Sequence, residues 1–247
     1  MNDIYISGTG IWTPPYKVSN DELVESFNKY VDLYNLEHTN EIKDGSIEPL
    51  VHSSSEFIVK ASGIKNRYVI EKEALLDPNR MKPQINARND DELSFSAEVS
   101  VIAAKEALNN AGLNPSDIDA VIVSAANLQR AYPAIAIEVQ NELGIEGFAY
   151  DMMVGCSAST FGINNAYCDI KSGKSSKVLV ISPEITSGHN NFKNRDGHFI
   201  FGDICTAVVV EKNSQSKNKF KILNTKLKTS FSNNIRNNYG YMNAIED

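Results

Sequence analysis

The chain has 247 residues, of which 42% are hydrophobic and 22% charged, a composition typical of a soluble globular protein with a substantial core. Its 24 basic and 31 acidic residues give a formal net charge of −7, which does not favour binding to nucleic acid or to an anionic membrane surface. Three cysteines without Cys-x-x-Cys spacing argue against a disulfide framework or a metal site and favour a reduced, cytoplasmic protein. The sequence has no apolar run near the ~18 residues of a membrane span and no secretory signal pattern at its start.

The chain opens with a predicted strand from Asp3, which we expect to break at Gly8, Gly10 and the Pro14-Pro15 pair. The Gly-x-Gly pair is not a phosphate loop, because the third glycine is missing and prolines follow where a helix should begin.

An amphipathic helix is predicted to begin at Ser19, which forms a capping box with Glu22, and to end near Tyr30. Residues 31–52 are polar and irregular in pattern, and we interpret them as a surface insertion. Residues 72–91 hold two prolines and many charges, and we expect a second insertion there, in the form of a mobile loop.

The remaining chain alternates between helical and strand patterns. Helices are predicted over 54–61, 93–110 and 133–143, the last opened by Pro133, and strands over 118–124, 148–154, 177–182, 204–211 and 220–223. Short, continuously apolar strands between helices indicate an α/β fold with a mostly parallel sheet covered on both faces. The last ~25 residues are polar and Asn-rich, and we expect no packed end there.

The stretch 148–173 holds the strongest candidate for chemistry. An apolar run ends in Gly155, Cys156 follows at once, and a pattern of 3.6-residue period then runs to Gly173. Cys156 is therefore predicted at a strand-to-helix turn, where main-chain N–H groups and the helix dipole favour a thiolate nucleophile and can hold an oxyanion. The alternative is a buried thiol that packs as a small hydrophobe.

Several stretches together resemble the β-ketoacyl-acyl-carrier-protein synthase III group of the thiolase superfamily. In chain order they are Ala61-Ser-Gly-Ile-Lys-Asn-Arg, Ala111-Gly-Leu-Asn-Pro-Ser-Asp-Ile-Asp-Ala-Val-Ile-Val, Ala131-Tyr-Pro-Ala, residues 151–162, and Arg195 through Phe201-Gly-Asp. The resemblance implies a thiolase-like layered α/β/α/β/α fold, of which residues 1–247 would be the N-terminal half of the duplicated fold, with the C-terminal half absent. It also implies a homodimer.

The resemblance further implies a two-step condensation in fatty-acid or related polyketide biosynthesis. Cys156 matches the active-site cysteine, which takes an acyl group from acyl-CoA as a thioester. A malonyl group on acyl-carrier protein then decarboxylates, and the carbanion attacks that thioester to give a β-ketoacyl product. Acyl-CoA is thus a substrate, acyl-carrier protein a partner, and no cofactor or metal is expected.

Three further positions are substrate-binding candidates by the resemblance. Tyr132 matches a position that crosses the dimer interface and closes the partner's acyl pocket, although it could be an ordinary interface aromatic. Phe57 stands where the family usually has a tryptophan, and with Arg195 it would sandwich the adenine of CoA; the smaller ring weakens such stacking, and Phe57 could instead belong to the core. Gly202-Asp203 matches a turn that we interpret as structural.

The family completes its site with a histidine and an asparagine that have no match in this chain. The chain's histidines are His38 and His52, in the polar insertion, and His189 and His198, in a loop near Arg195. Two alternatives therefore stay open. One is a non-catalytic fragment. We expect such a fragment to self-associate or to show disorder near its C-terminus, because the apolar sheet edge and helix surface that the other half of the fold covers would be exposed. The other is a Cys–His hydrolase that uses His189 or His198.

Overall fold

The structure is a computed structural model and describes residues 3–232. Its helices are α1 (Asn20–Glu37), α2 (Thr39–Lys43), α3 (Ser55–Ser62), α4 (Phe95–Ala111), α5 (Ile135–Leu143) and α6 (Ala158–Ser172). Its strands are β1 (Ile4–Trp12), β2 (Tyr16–Ser19), β3 (Asn66–Val69), β4 (Ala120–Ala125), β5 (Phe148–Met153), β6 (Lys177–Ile185), β7 (Asp203–Lys212) and β8 (Phe220–Lys221). No helix within the described range is long and apolar enough to cross a membrane. The predicted disorder at the C-terminal end falls mostly on residues outside this range.

Six strands form the main sheet, in the order β5-β4-β6-β7-β1-β8. β4 pairs in parallel with β5 and β6, whereas β6 with β7, β7 with β1 and β1 with β8 pair antiparallel. The prediction of a mostly parallel sheet is therefore wrong, and the sheet is mixed. The reason is that a strand buried on both faces reads as continuously apolar in either direction, so its pattern does not encode its orientation.

Helices cover both faces of this sheet, as predicted. α4 and α5 pack on one face, against side chains such as Val121 and Leu179, and α6 packs on the other, against Ile122 and Val180. Consecutive residues of each strand thus pack into cores on opposite faces of the sheet, because side chains alternate between the two faces along a strand.

The two glycines of β1 do not break the strand, contrary to the prediction. A Cβ on Gly8 would lie 2.1 Å from the carbonyl oxygen of Ala107, and one on Gly10 would lie 2.0 Å from that of Ala103. Because neither residue has a side chain, the backbone of α4 lies directly against β1 at both positions. This close approach explains glycine within a strand without any turn.

α1 begins with the predicted capping box, in which Ser19 N–H donates to Glu22 across 2.9 Å and Glu22 N–H donates to the Ser19 hydroxyl across 3.3 Å. The helix continues to Glu37, and α2 follows it, so the interpretation of 31–52 as irregular is wrong for residues 31–43. Val31 is buried and holds this extension on the core.

A second core lies beside the main sheet, between α1, α3 and the two-stranded antiparallel sheet of β2 and β3. The predicted loop 72–91 contains neither helix nor strand, but its residues Leu75 and Met81 are buried in this core. Phe192 and Phe199, from the segment between β6 and β7, enter the same core. The second core therefore brings that segment next to α3.

Candidate active site

Cys156 lies on a 3₁₀ turn, Gly155–Ser157, that connects β5 to α6. Gly155 has φ of 58°, which glycine adopts without strain as the chain leaves the strand. Cys156 is exposed, so the alternative of a buried thiol is wrong, and the predicted strand-to-helix turn is confirmed.

Two hydrogen bonds fix the start of α6 on the sheet, and a glycine lets the helix approach it closely. The Ser124 hydroxyl donates to the Ala158 carbonyl across 2.6 Å, and the Ser159 hydroxyl donates to the Ser182 hydroxyl across 2.7 Å. At Gly162 a Cβ would come within 2.8 Å of a β6 side chain, so the helix lies close to the strands. The thiol is thereby held at the carboxyl edge of the parallel strands β4, β5 and β6, where open α/β sheets bind ligands.

The start of α6 carries no side-chain cap at Ser157. The first N–H groups of a helix lack partners within the helix, and the helix dipole adds positive potential there. The turn thus places an exposed thiol at the positive end of the helix dipole.

Sequence reasoning missed an acidic side chain at the same edge. Glu184, near the end of β6, accepts a hydrogen bond from Ala126 N–H across 2.8 Å, just beyond β4. Burial raises the pKa of Glu184. The signal that could have shown it is a carboxylate within an otherwise apolar, β-branched strand.

A second acidic residue, Asp151 on β5, sets where α5 begins. Its carboxylate accepts from the N–H groups of Ile135 and Ala136, each across 2.8 Å, and burial raises its pKa. α5 therefore starts at Ile135, two residues after the Pro133 that the sequence suggested. Tyr132, in the preceding segment, is 85% exposed.

Phe57 and Arg195 lie together, as the resemblance predicts, but without a slot between them. The guanidinium carbon of Arg195 is 4.1 Å from the centre of the Phe57 ring, and Arg195 Nε donates to the His52 carbonyl across 2.8 Å. A planar base between the two groups would require about 7 Å, twice a carbon contact of about 3.5 Å. In this structure the Arg195 guanidinium and the Phe57 ring stack directly on each other. Phe57 also packs edge-on against Phe199, with ring centres 5.9 Å apart, at the margin of the second core.

The Gly202-Asp203 turn connects β7 with the end of β3 and with the segment after β6. This agrees with the prediction that the turn has a structural role. A Cβ on Gly202 would lie 2.8 Å from the Tyr68 carbonyl oxygen. The buried Asp203 carboxylate accepts from Ser187 N–H and hydroxyl, each across 2.7 Å, and from Ile70 N–H across 2.9 Å. Burial raises the pKa of Asp203 despite these donors.

Within residues 3–232, none of the four histidines hydrogen-bonds to Cys156. Ring nitrogens of His38, His52 and His198 instead contact the Tyr34 carbonyl, the Asp32 carboxylate and the Arg195 carbonyl. The same residues include no group of three or more His, Cys, Asp or Glu side chains arranged to hold a metal ion. The hydrolase alternative therefore has no base in contact with the thiol.

Comparison with known proteins shows what the chain is similar to. A sequence model of the family described as 3-oxoacyl-[acyl-carrier-protein] synthase III matches residues 150–230. The β-ketodecanoyl-[acyl-carrier-protein] synthase of Pseudomonas aeruginosa is 54% identical over 226 residues, which are 91% of this chain and 65% of that protein. The β-ketoacyl-[acyl-carrier-protein] synthase III of Brucella anthropi is 34% identical over 171 residues, covering 69% of this chain and 47% of that one.

Solved structures agree with this similarity. The 3-oxoacyl-[acyl-carrier-protein] synthase III of Aquifex aeolicus aligns with a TM-score of 0.61 and 27% identity, over 88% of this chain and 55% of that one. The predicted thiolase-like α/β fold is thus confirmed, and the chain spans only part of the length of its relatives. In sequence and fold, the chain is similar to β-ketoacyl-[acyl-carrier-protein] synthase III proteins.

Proposed function

We propose that the protein carrying this chain is a condensing acyltransferase, which forms a β-ketoacyl thioester from an acyl-thioester primer and malonyl-acyl-carrier protein. The observation that carries the proposal is the exposed Cys156 at an uncapped helix start, on the carboxyl edge of three parallel strands. The relatives named as such synthases support it.

In the first step the Cys156 thiolate attacks the carbonyl carbon of the primer thioester. The carbonyl oxygen becomes an oxyanion, and the main-chain N–H of Cys156 is the proposed donor that stabilises it. The carbon–sulfur bond to the donor then breaks, and the donor thiolate leaves and takes up a proton. A thiolate attacks a thioester without a strong base, so this step needs none of the chain's histidines.

In the second step the malonyl thioester loses CO₂, and the resulting carbanion attacks the acyl group on Cys156, whose thiolate leaves. The resemblance assigns this decarboxylation to a histidine and an asparagine without a match here. We therefore propose that this chain supplies the acylation site, and that by itself it does not complete condensation.

The primer is proposed to be of medium length. The Pseudomonas relative is named for a ten-carbon β-keto product, and a condensation that adds two carbons makes such a product from an eight-carbon acyl primer. The high identity to that relative favours an octanoyl thioester, carried by CoA, over an acetyl thioester.

A homodimer in the cytoplasm is the proposed working form. β5 is an edge strand of the sheet, which leaves its outer hydrogen-bonding groups for another strand, and Tyr132 is exposed nearby in sequence. Light scattering of the full-length protein should give the mass of two chains.

Replacing Tyr132 by Ala should widen the accepted primer lengths, whereas a monomeric protein with unchanged primer preference would contradict the arrangement.

Acylation of full-length protein tests the central proposal. We expect octanoyl-CoA to add one octanoyl group to the tryptic peptide that contains Cys156, and Cys156→Ser to abolish this addition. Cys168→Ser is the matched control, since Cys168 is also exposed but lies within α6. Acyl groups that persist in Cys156→Ser, or no acylation by any donor, would refute the proposal.

A further inference from the structure

Two hydrogen bonds show where α6 begins over the sheet. The Ser124 hydroxyl of β4 donates to the Ala158 carbonyl across 2.6 Å, and the Ser159 hydroxyl donates to the Ser182 hydroxyl of β6 across 2.7 Å. β4 and β6 run in parallel, so both contacts lie at the same level near the carboxyl edge of the strands. Because α6 connects two parallel strands, it runs back along the sheet. The turn that holds Cys156 therefore lies beyond this level, on the side of the carboxyl edge.

Glu184 lies beyond the same level, on the same face of the sheet. It follows Ser182 by two residues in β6, and the pairing of β6 with β7 continues to the end of β6 without a shift. Side chains two residues apart in a strand share a face, so Glu184 is on the face that carries α6. Its Oε1 accepts a hydrogen bond from Ala126 N–H across 2.8 Å, at the residue that follows β4.

The carboxylate of Glu184 and the thiol of Cys156 are thus neighbours at the carboxyl edge. Two strand residues span about 7 Å, which is the distance of Glu184 past Ser182. Cys156 precedes Ser159 by about one helical turn, or about 5 Å, in the same direction. Since Ser159 and Ser182 are in contact, these steps place the carboxylate within roughly 10 Å of the thiol.

The charge of Glu184 has no cationic partner. Its side chain is half-buried, and within residues 3–232 it forms no ion pair with a lysine, arginine or histidine. Burial raises the pKa of Glu184, and the hydrogen bond from Ala126 N–H lowers it. A glutamine would accept the same hydrogen bond without the cost of burying a charge. The one property of Glu184 that glutamine lacks is its negative charge.

We propose that Glu184 is a specificity-determining residue, whose negative charge near the thiol disfavours acyl groups that themselves carry a carboxylate. The inference rests on the proposed function, in which Cys156 accepts the primer. Like charges at this separation repel each other in a partly buried site, and such repulsion is a means of rejecting the wrong partner. The malonyl group of the second substrate carries a carboxylate, so the charge keeps malonyl groups off Cys156 in the first step.

Acylation of the full-length protein by two matched donors at pH 8, where carboxyl groups are ionised, tests the inference. Succinyl-CoA differs from butyryl-CoA by a carboxylate in place of the terminal methyl group. In Glu184→Gln we expect the ratio of the succinyl to the butyryl acylation rate at Cys156 to rise roughly five- to twentyfold. Partial unfolding or a general change in thiol reactivity would alter both rates and leave their ratio unchanged.

Two further variants are the controls. Glu184→Asp keeps the charge, and its ratio should stay within about twofold of the wild-type value. Glu146→Gln removes an exposed carboxylate just before β5, at the opposite edge of the sheet, and should leave the ratio unchanged. An unchanged ratio in Glu184→Gln, a rise of the same size in Glu184→Asp, or an equal rise in Glu146→Gln would each overturn the inference.

Alkylation of Cys156 separates this inference from the proposed function, because it needs no acyl donor. Iodoacetate carries a carboxylate where iodoacetamide carries a neutral amide. We expect Glu184→Gln to raise the ratio of the iodoacetate to the iodoacetamide rate at this thiol, and an unchanged ratio would count against the role of the charge. Failure of every uncharged donor to acylate the wild-type protein would refute the proposed function instead, while alkylation would still decide the role of Glu184.

Discussion

The hydroxyl group of Ser124, in the last part of β4, donates to the main-chain carbonyl of Ala158, the first residue of α6, across 2.6 Å. This bond joins a buried strand to the start of the helix that follows Cys156. Because Ser124 is fully buried, water cannot replace the bond. The position of the thiol over the sheet therefore depends on a residue 32 positions earlier in the chain.

Ser124→Ala should loosen this junction. We expect the free energy of unfolding to fall by about 1 kcal/mol, as for loss of one buried hydrogen bond, and the rate of Cys156 acylation to fall with it. Urea unfolding and acylation followed by mass spectrometry measure the two effects. Ser116→Ala, at an exposed position, is the control, and equal behaviour of both variants would contradict a role for the bond.

Gly10→Ala tests the close approach of α4 to β1. An added Cβ would lie 2.0 Å from the Ala103 carbonyl oxygen, so strand and helix must separate. We expect a loss of roughly 2–4 kcal/mol in the free energy of unfolding, in the range of severe overpacking. Gly197→Ala, where a Cβ meets nothing within 4 Å, should leave stability nearly unchanged. A fully stable Gly10→Ala variant would show that β1 and α4 do not pack in this way.

Glu22 makes part of the stability dependent on pH. Its contact with Lys72, followed by hydrogen bonds from Ser19, lowers its pKa from 4.5 to about 2 in the folded chain. The stabilisation is therefore complete above pH 4.5 and is lost as the pH falls towards 2. The side chain is 43% exposed, so solvent screening reduces the effect to about 1 kcal/mol.

Urea unfolding of wild type and Glu22→Gln at a series of pH values checks this dependence. The difference in unfolding free energy should be largest at neutral pH and should close between pH 4.5 and 2. Glu25→Gln, which removes an exposed pair with Lys29, should show a smaller difference. A gap for Glu22→Gln that stays constant with pH would be inconsistent with the lowered pKa.

The three cysteines should differ in reactivity. Cys205 is fully buried, and burial raises its pKa to about 12, so it should resist iodoacetamide until the protein unfolds. Cys156 and Cys168 are exposed, and Cys156 should react first, because it lies on the turn before α6 whereas Cys168 lies within that helix. Peptide mapping after timed labelling at pH 8 measures all three. Modification of Cys205 in the native protein, or faster labelling of Cys168, would contradict the arrangement.

Much of the local structure was predictable from the sequence. The capping box at Ser19 sets the start of α1, and glycines in the left-handed conformation end four helices where the pattern placed them, at Gly63, Gly112, Gly144 and Gly173. These signals act through residues a few positions apart, so a short window contains all of the interaction. The placement of Cys156 between β5 and α6 was predictable for the same reason.

Contacts between distant residues were not predictable in this way. Gly8 and Gly10 resemble strand breakers until α4, about 100 residues later, is placed against them. The start of α5 moved to Ile135 because Asp151, from the following strand, accepts its first N–H groups. In both cases the partner that decides the outcome lies outside any local pattern.

What the sequence by itself determined is therefore the identity and limits of most helices and strands, and the thiol at the turn after β5. The tertiary structure alone decided the direction of β7 relative to β6, the stacking of Arg195 on Phe57, and the hydrogen bond between His198 Nδ1 and the Arg195 carbonyl. Local hydrogen bonding and hydrophobic period are encoded over a few residues, whereas strand orientation and side-chain stacking depend on how separate segments meet when they bury a common core.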